Sequence, residues 1–334
     1  MSRPADHPAV PAEKIGVLLI NLGTPDAPHA RAVRKYLAEF LSDPRVIEIP
    51  PLAWKPILHG IILRTRPRKS AQAYNQIWTN EGSPLRVIAQ RQAEKLRTAM
   101  PDVSVHYAMR YGSPGIAAAI HNMFREGCTR ILAAPLYPQY CAATTATAND
   151  AVFAAMAAMR WQPALRTLPP YYDDPLYIDA LAASLKRQLA ALDFTPDRLL
   201  LSFHGMPART LELGDPYHCH CQKTARLVGE KIALEVDVAF QSKFGRARWL
   251  EPATDATLAA YPGLGVTSLA IAAPGFSADC IETLEELGIR GRESFLHAGG
   301  EQFALLDCLN DSIEGMDMLT GLIGRELAGW HPQS

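Results

Sequence analysis

The chain has 334 residues, 48% of them hydrophobic and 20% charged, and its 33 basic and 34 acidic side chains leave a formal net charge of −1. That apolar content excludes a disordered chain, and the near-neutral balance removes the overall basic footprint of a nucleic-acid binder. No apolar run approaches the roughly 18–20 residues that cross a bilayer. The polar stretch Met1–Lys14 reads as neither signal peptide nor transit segment, and six cysteines are too sparse for a disulfide framework, so a soluble, reduced, cytoplasmic protein is expected.

Along the chain, short apolar runs rich in β-branched residues alternate with longer helical patterns. Ile15–Ile20 reads as a strand ending at a Gly23-Thr24-Pro25 turn, followed by a helix over Ala32–Leu41. Val103–Met109 reads as a second strand, leading through a turn to a helix over Ile116–Glu126 and a third strand, Arg130–Pro135. The second half repeats the rhythm: strands at Arg198–Phe203, Val236–Gln241 and Ser268–Ala273, with helices near Lys223–Ile232 and Cys280–Leu287. Runs of this kind, apolar on both faces and alternating with helices, predict parallel sheets built from βαβ units. Single cores rarely exceed about 250–300 residues, and Pro169-Pro170 interrupts the pattern. The expectation is two α/β halves, residues 1–165 and 166–334, around a cleft. In such sheets function collects beyond the C-terminal ends of the strands.

Four features stand out against that frame. His204 follows the strand Arg198–Phe203 at once and precedes Gly205 and Pro207, which places an imidazole at a strand's C-terminal lip. It suits proton acceptance or metal ligation there, or simple packing. Glu282 lies in the first turn of a helix expected to start near Asp279, with Gly288 as its C-cap. Asp279 and Glu282 read equally as a capping box and as cleft carboxylates, and Glu286, four residues on, shares the face of Glu282. The run His218-Cys219-His220-Cys221 resembles a metal site but lacks the spacing of zinc ligands and a second ligand pair; an exposed loop and helix start is the plainer reading. Finally, Leu58, Ile61 and Ile62 share a helical face followed by Arg64, Arg66, Arg68 and Lys69, either a docked amphipathic helix or an apolar lip able to touch an anionic bilayer. Gly23-Thr24-Pro25 is no dinucleotide or Walker loop, and neither a GxSxG elbow nor an HExxH sequence is present.

Taken in order, Asn21–Pro25 (NLGTP), Gly82–Leu85 (GSPL), Met109–Tyr111 (MRY), Tyr137–Tyr140 (YPQY), Leu201–Pro207 (LSFHGMP), Gly214–Tyr217 (GDPY), Gln241–Gly245 (QSKFG) with Trp249–Pro252 (WLEP), and Ile281–Leu284 (IETL) resemble the ferrochelatase family over residues 15–325. The resemblance implies two Rossmann-like, chelatase-like domains with four-stranded parallel sheets. It also implies insertion of Fe²⁺ into protoporphyrin IX, the last step of protoheme synthesis. His204 matches the family's invariant histidine and Glu282 its active-site glutamate, which makes them the expected catalytic and iron-contacting pair. Leu22, Tyr111 and Trp249 match positions on the macrocycle pocket, and Arg64 (or Thr65 beside it), Tyr74 and Ser83 fall at or beside positions that contact propionates.

The chain departs from the family in several places. Cys280 stands where many members carry a histidine, and Arg290 interrupts an acidic row that continues in some relatives. Cys141 lies beside, not on, the position of an internal cluster ligand, which here is Ala142. The sequence ends ELAGWHPQS, without the C-terminal cysteines of the vertebrate type. No iron–sulfur cluster and no cofactor beyond the substrate iron are therefore expected. The expected partners are the porphyrin and Fe²⁺, with loose peripheral contact at the inner membrane and none with nucleic acid. The alternatives are a chelatase acting on coproporphyrin or placing cobalt in a tetrapyrrole, and a non-catalytic metal- or porphyrin-binding protein, which would saturate at stoichiometric ligand instead of turning over.

Overall fold

The computed structural model describes residue 6, residues 13–245 and residues 247–330; the reading of Met1–Lys14 therefore falls almost wholly outside the described residues. Two four-stranded, all-parallel sheets carry the chain. The first comprises β1 (Lys14–Thr24), β2 (Val103–Gly112), β3 (Cys128–Pro135) and β4 (Ala164–Thr167) in the order β2-β1-β3-β4. The second comprises β5 (Arg198–His204), β6 (Val236–Gln241), β7 (Ser268–Ala272) and β8 (Gln302–Leu305) in the order β6-β5-β7-β8. Helices cover both faces, so the inner strands are apolar without alternation: Val17 to Ile20 and Leu199 to Leu201 are all buried. The order is the same in both sheets, and β1 and β5 occupy equivalent central positions.

One core cluster joins the lobes. Ile15, Val17 and Leu19 of β1 pack in the same buried set as Leu199, Leu201 and Phe203 of β5, together with the helices Pro175–Ala190, Tyr217–Ile232 and Ile313–Glu326. The last of these also lies against the helix Pro84–Ala99 of the first half. The expected boundary after residue 165 falls inside β4, the edge strand of the first sheet.

Three local expectations are corrected. The helix near Asp279 begins at Glu282 as a wide, π-type turn through Gly291, and continues as an α-helix over Arg292–His297. Asp279 does not cap it: its Oδ1 accepts from Thr283 Oγ1 at 2.8 Å and its Oδ2 from Asn310 Nδ2 at 2.6 Å. Gly288 is not a C-cap but an interior residue, where a Cβ would come within 2.9 Å of Leu305. In the lip, a second π-type turn at Leu58–Ile62 breaks the 3.6-residue period on which the stripe was read. Leu58 is buried, while Leu52 (92%), Ile61 (58%) and Ile57 (41%) are exposed. The His218–Cys221 run is the expected helix start but not an exposed loop: it occupies the first turns of the helix Tyr217–Ile232, with Cys219 exposed, Cys221 buried and His220 stacked on Tyr172 at 3.5 Å between ring centroids.

At the C-terminal end of β1, Gly23 has φ +120° and a Cβ there would lie 1.8 Å from the Tyr111 carbonyl oxygen. Both the dihedral and the contact exclude a side chain. Gly23→Ala is expected to lower unfolding free energy by about 2 kcal/mol or more, read as a shift in the midpoint of chemical denaturation.

Candidate active site

His204 is the last residue of β5, and the N–H of Gly205 after it donates to the Gln241 carbonyl at 2.7 Å, which keeps the chain beside β6. The imidazole Nδ1 lies 2.7 Å from the Gly205 carbonyl. A carbonyl only accepts, so Nδ1 carries a proton and Nε2 of the neutral ring is left as a free acceptor or metal ligand. Phe276 flanks the ring.

Glu282 opens the π-type turn that follows β7. This segment packs on the first lobe: Ile281 lies against the cluster of Leu63, Ala71, Tyr74 and Tyr111, and the turn itself contacts the helix Leu63–Ile77. Burial pushes the Glu282 carboxyl above the usual carboxylate range, against the opposing pull of the Cys280 thiol and the His204 charge. The influence is mutual across the seam. Burial raises the phenols of Tyr74 and Tyr36 well above their ordinary value, and the Glu282 carboxylate adds to both shifts. Cys280, which replaces the family's histidine, is buried against Leu85, Ala278 and Phe276, and burial drives its thiol up.

The remaining expected site residues distribute unevenly. Tyr74 is beside Glu282, and Ser83 is buried, accepting a 2.8 Å hydrogen bond from Thr24 at the end of β1. Leu22 packs between two core clusters of the first lobe. Trp249 lies over Gly205, meets Phe244 in a tilted contact with 4.9 Å between ring centroids, and leaves its indole N–H without a partner. Arg64 is exposed on the lip helix. Tyr111 is not on a cleft wall: it is fully buried, with its hydroxyl donating to Asp43 Oδ2 at 2.9 Å and Phe40 against its ring. A small cavity lies behind the Ala273–Ser277 turn, lined by Tyr171, Tyr177 and Met318 among others; neither His204 nor Glu282 lines it. Among the described residues, no three His, Cys, Asp or Glu side chains converge on a common point.

Sequence reasoning missed the residue that links the two candidates. Gln241, at the C-terminal end of β6 and buried, donates from Nε2 to the Glu282 carbonyl at 2.8 Å and accepts at Oε1 from Ser202, two residues before His204. The signal was available, since a polar residue ending a buried strand is what singled out His204.

A paired parallel α/β architecture with a histidine at one strand end and a carboxylate on the helix that follows the neighbouring strand is that of a chelatase-type scaffold. The solved structures similar to this chain agree at the level of fold: SirB from Bacillus subtilis with Fe³⁺ (13% identity, TM-score 0.55, covering 95% of this chain and 96% of that one) and a sirohydrochlorin chelatase SirB in complex with cobalt (11%, 0.56, covering 95% and 98%). The family model "Ferrochelatase" matches residues 14–327. Curated ferrochelatases from Rhizobium meliloti (54% identical, covering 99% of this chain and all of that one) and Agrobacterium fabrum (51%, covering 98% and 97%) are similar over nearly their whole length. The chain belongs to the ferrochelatase family.

The raised Glu282 carboxyl has a consequence for stability. A carboxyl whose folded pKa lies above its unfolded value stabilises the fold below the unfolded pKa, and that contribution is lost as pH rises through the folded one. Ionising Glu282 in the folded protein therefore costs stability. Glu282→Gln is expected to raise the melting temperature at neutral pH, and the gain is expected to vanish near about pH 4, where the wild-type carboxyl is also neutral.

Proposed function

We propose that this protein inserts Fe²⁺ into protoporphyrin IX to form protoheme, with His204 and Glu282 as the reacting pair. The observation that carries the assignment of residues is the free Nε2 of His204 in the electrostatic reach of a desolvated carboxylate, at the seam where both sheets present their strand ends. The reaction exchanges two pyrrole protons for one ferrous ion, so the site must accept protons and hold a metal only in passing. A neutral imidazole accepts a proton near neutral pH, and a carboxyl raised by burial accepts one more readily than an exposed carboxylate does.

The sparseness of the ligand set suits a metal in transit. His204 and Glu282 supply two donors, and the macrocycle's own nitrogens supply the rest as the ion passes to them. A complete tetrahedral cage would hold iron instead of releasing it. Leu22 and Trp249 offer apolar and aromatic surface to the ring, and Tyr74, Ser83 and the exposed Arg64 are the groups proposed to face its carboxylates. The Arg66 guanidinium of the lip helix lies over the Phe244 ring at 5.5 Å, so the lip touches the segment that follows β6. Tyr111 acts behind this surface, holding Asp43. The chemistry requires no resident cofactor beyond the substrate iron.

His204→Ala and Glu282→Gln are each expected to lower kcat for anaerobic Fe²⁺ insertion by about 100-fold or more. Near wild-type turnover in both would overturn the assignment. A second expectation concerns the lip. No described helix is long and apolar enough to cross a membrane, yet Leu52, Ile57 and Ile61 are exposed beside Lys55, Arg64, Arg66 and Arg68. We propose peripheral contact with an anionic bilayer through this surface. Flotation with anionic liposomes is expected to recover the wild type and to lose the Ile57→Asp/Ile61→Asp double variant; equal recovery of both would exclude the lip.

A further inference from the structure

We infer that Gln241 and Ser242 form a two-point clamp that sets the position of Glu282 relative to His204, and that Glu286 is engaged by this clamp, not free to carry protons. The inference rests on the assignment of His204 and Glu282 as the reacting pair.

The argument begins at the end of β6. The main-chain carbonyl of Gln241 accepts the Gly205 N–H at 2.7 Å, which fixes the strand end that carries His204. The side chain of the same residue donates to the Glu282 carbonyl at 2.8 Å, in the first turn of the π-type helix. One amide residue thus touches both reacting elements directly. Its Oε1 is held by Ser202 at 2.9 Å, and the Ser202 hydroxyl lies 2.8 Å from Thr254 Oγ1, so the amide's orientation is set by a buried polar chain. Oε1 faces a hydroxyl and Nε2 faces a carbonyl that cannot donate, which fixes the amide the right way round.

The second point is one turn further along the helix. Ser242 donates twice to Glu286, its N–H to Oε1 at 2.8 Å and its hydroxyl to Oε2 at 2.6 Å. Both carboxylate oxygens are engaged, and the bonds are short, as charge-assisted ones are. Ser242 holds φ +65°, a left-handed conformation that residues with a Cβ seldom occupy. Such a conformation persists where the surroundings over-determine it, and it clusters at sites where position matters. From Ser242 the chain runs through Phe244 to Trp249, which lies over Gly205. The clamp therefore ties the catalytic helix, the His204 strand end and the aromatic wall into one unit. Gln241 and Ser242 are positioning residues: neither needs to touch the reacting atoms.

The test is steady-state anaerobic Fe²⁺ insertion by the full chain. Gln241→Met keeps length and volume but donates nothing to the Glu282 carbonyl. It is expected to lower kcat about tenfold or more with KM for the porphyrin within about twofold, since the macrocycle's own contacts are kept. A folded Gln241→Met with wild-type kcat overturns the clamp. Because that variant removes a buried polar group and can fail to fold, a double-mutant cycle at the second point carries the test independently. Ser242→Ala and Glu286→Gln are each expected to lower kcat, and the double variant to lose no more than the larger single loss. Wild-type kcat in either single variant, or losses that multiply, overturn the proposal, the latter because Glu286 would then act independently of Ser242. Active His204→Ala and Glu282→Gln proteins would instead remove the reading beneath it, so the two failures are distinguishable.

Discussion

A carboxylate drawn out of water at the junction of two lobes is the constraint on which the site depends. Glu282 sits where the π-type helix of the second lobe presses on the lip helix of the first, and burial raises its pKa against every group that would hold it ionised. No arginine or lysine is among the groups that pull it down. The arrangement keeps the carboxyl ready to exchange a proton or contact a cation, which a permanent ion pair would prevent. The wide helical turn contributes as well, because a π-type register spaces Glu282, Glu285 and Glu286 differently from an α-helix. Glu285 turns to Arg290 at 3.0 Å and Glu286 to Ser242, which leaves Glu282 as the carboxylate facing the seam.

The two sheets explain why the partners meet there. Each central strand, β1 and β5, carries a glycine at its C-terminal end where a neighbouring backbone leaves no room for a side chain. Gly23 lies in the ladder with β2 against the Tyr111 carbonyl, and Gly205 follows His204 with the Gln241 carbonyl 2.5 Å from where its Cβ would be. Placing equivalent strand ends face to face brings Thr24, Ser83 and Tyr74 from one lobe towards His204 and Glu282 from the other. The shared core of β1, β5 and the helices between them keeps that geometry from depending on a hinge alone.

Much of this was legible in the residues. The six longer strands and the α/β alternation followed from apolar runs between turn signals, and His204 followed from its place after one of them. The edge strands Ala164–Thr167 and Gln302–Leu305 did not, because four half-buried residues carry no period. The repeat of the α/β rhythm in the second half was legible, but the shared strand order of the two sheets was not. The π-type turns at Leu58–Ile62 and Glu282–Gly291 defeat a 3.6-residue reading, which is why Leu58 was placed on the wrong face and Gly288 was taken for a stop. Gln241 was visible as a motif member, but its two hydrogen bonds join segments about 40 residues apart, a relation no local pattern encodes.

Asp43 shows that the treatment of Glu282 is not a general property of buried acids in this chain. Burial would raise Asp43 too, but hydrogen bonds from Thr147, the Arg45 N–H and Tyr111, together with the Arg110 charge, bring its pKa below the usual carboxylate range. It is a satisfied anion, with Arg110 at 2.5 Å and Tyr111 at 2.9 Å, and it organises the packing behind the lip. For Glu282 burial is the largest influence and no comparable set of donors opposes it. Of the two acids only Glu282 belongs to a motif that the sequence marks, and the number and direction of the donors around each separate their settings. Where burial is matched by donors the acid holds structure together; where it is not, the cost persists in the fold, and a group kept at that cost is best explained by the reaction it serves.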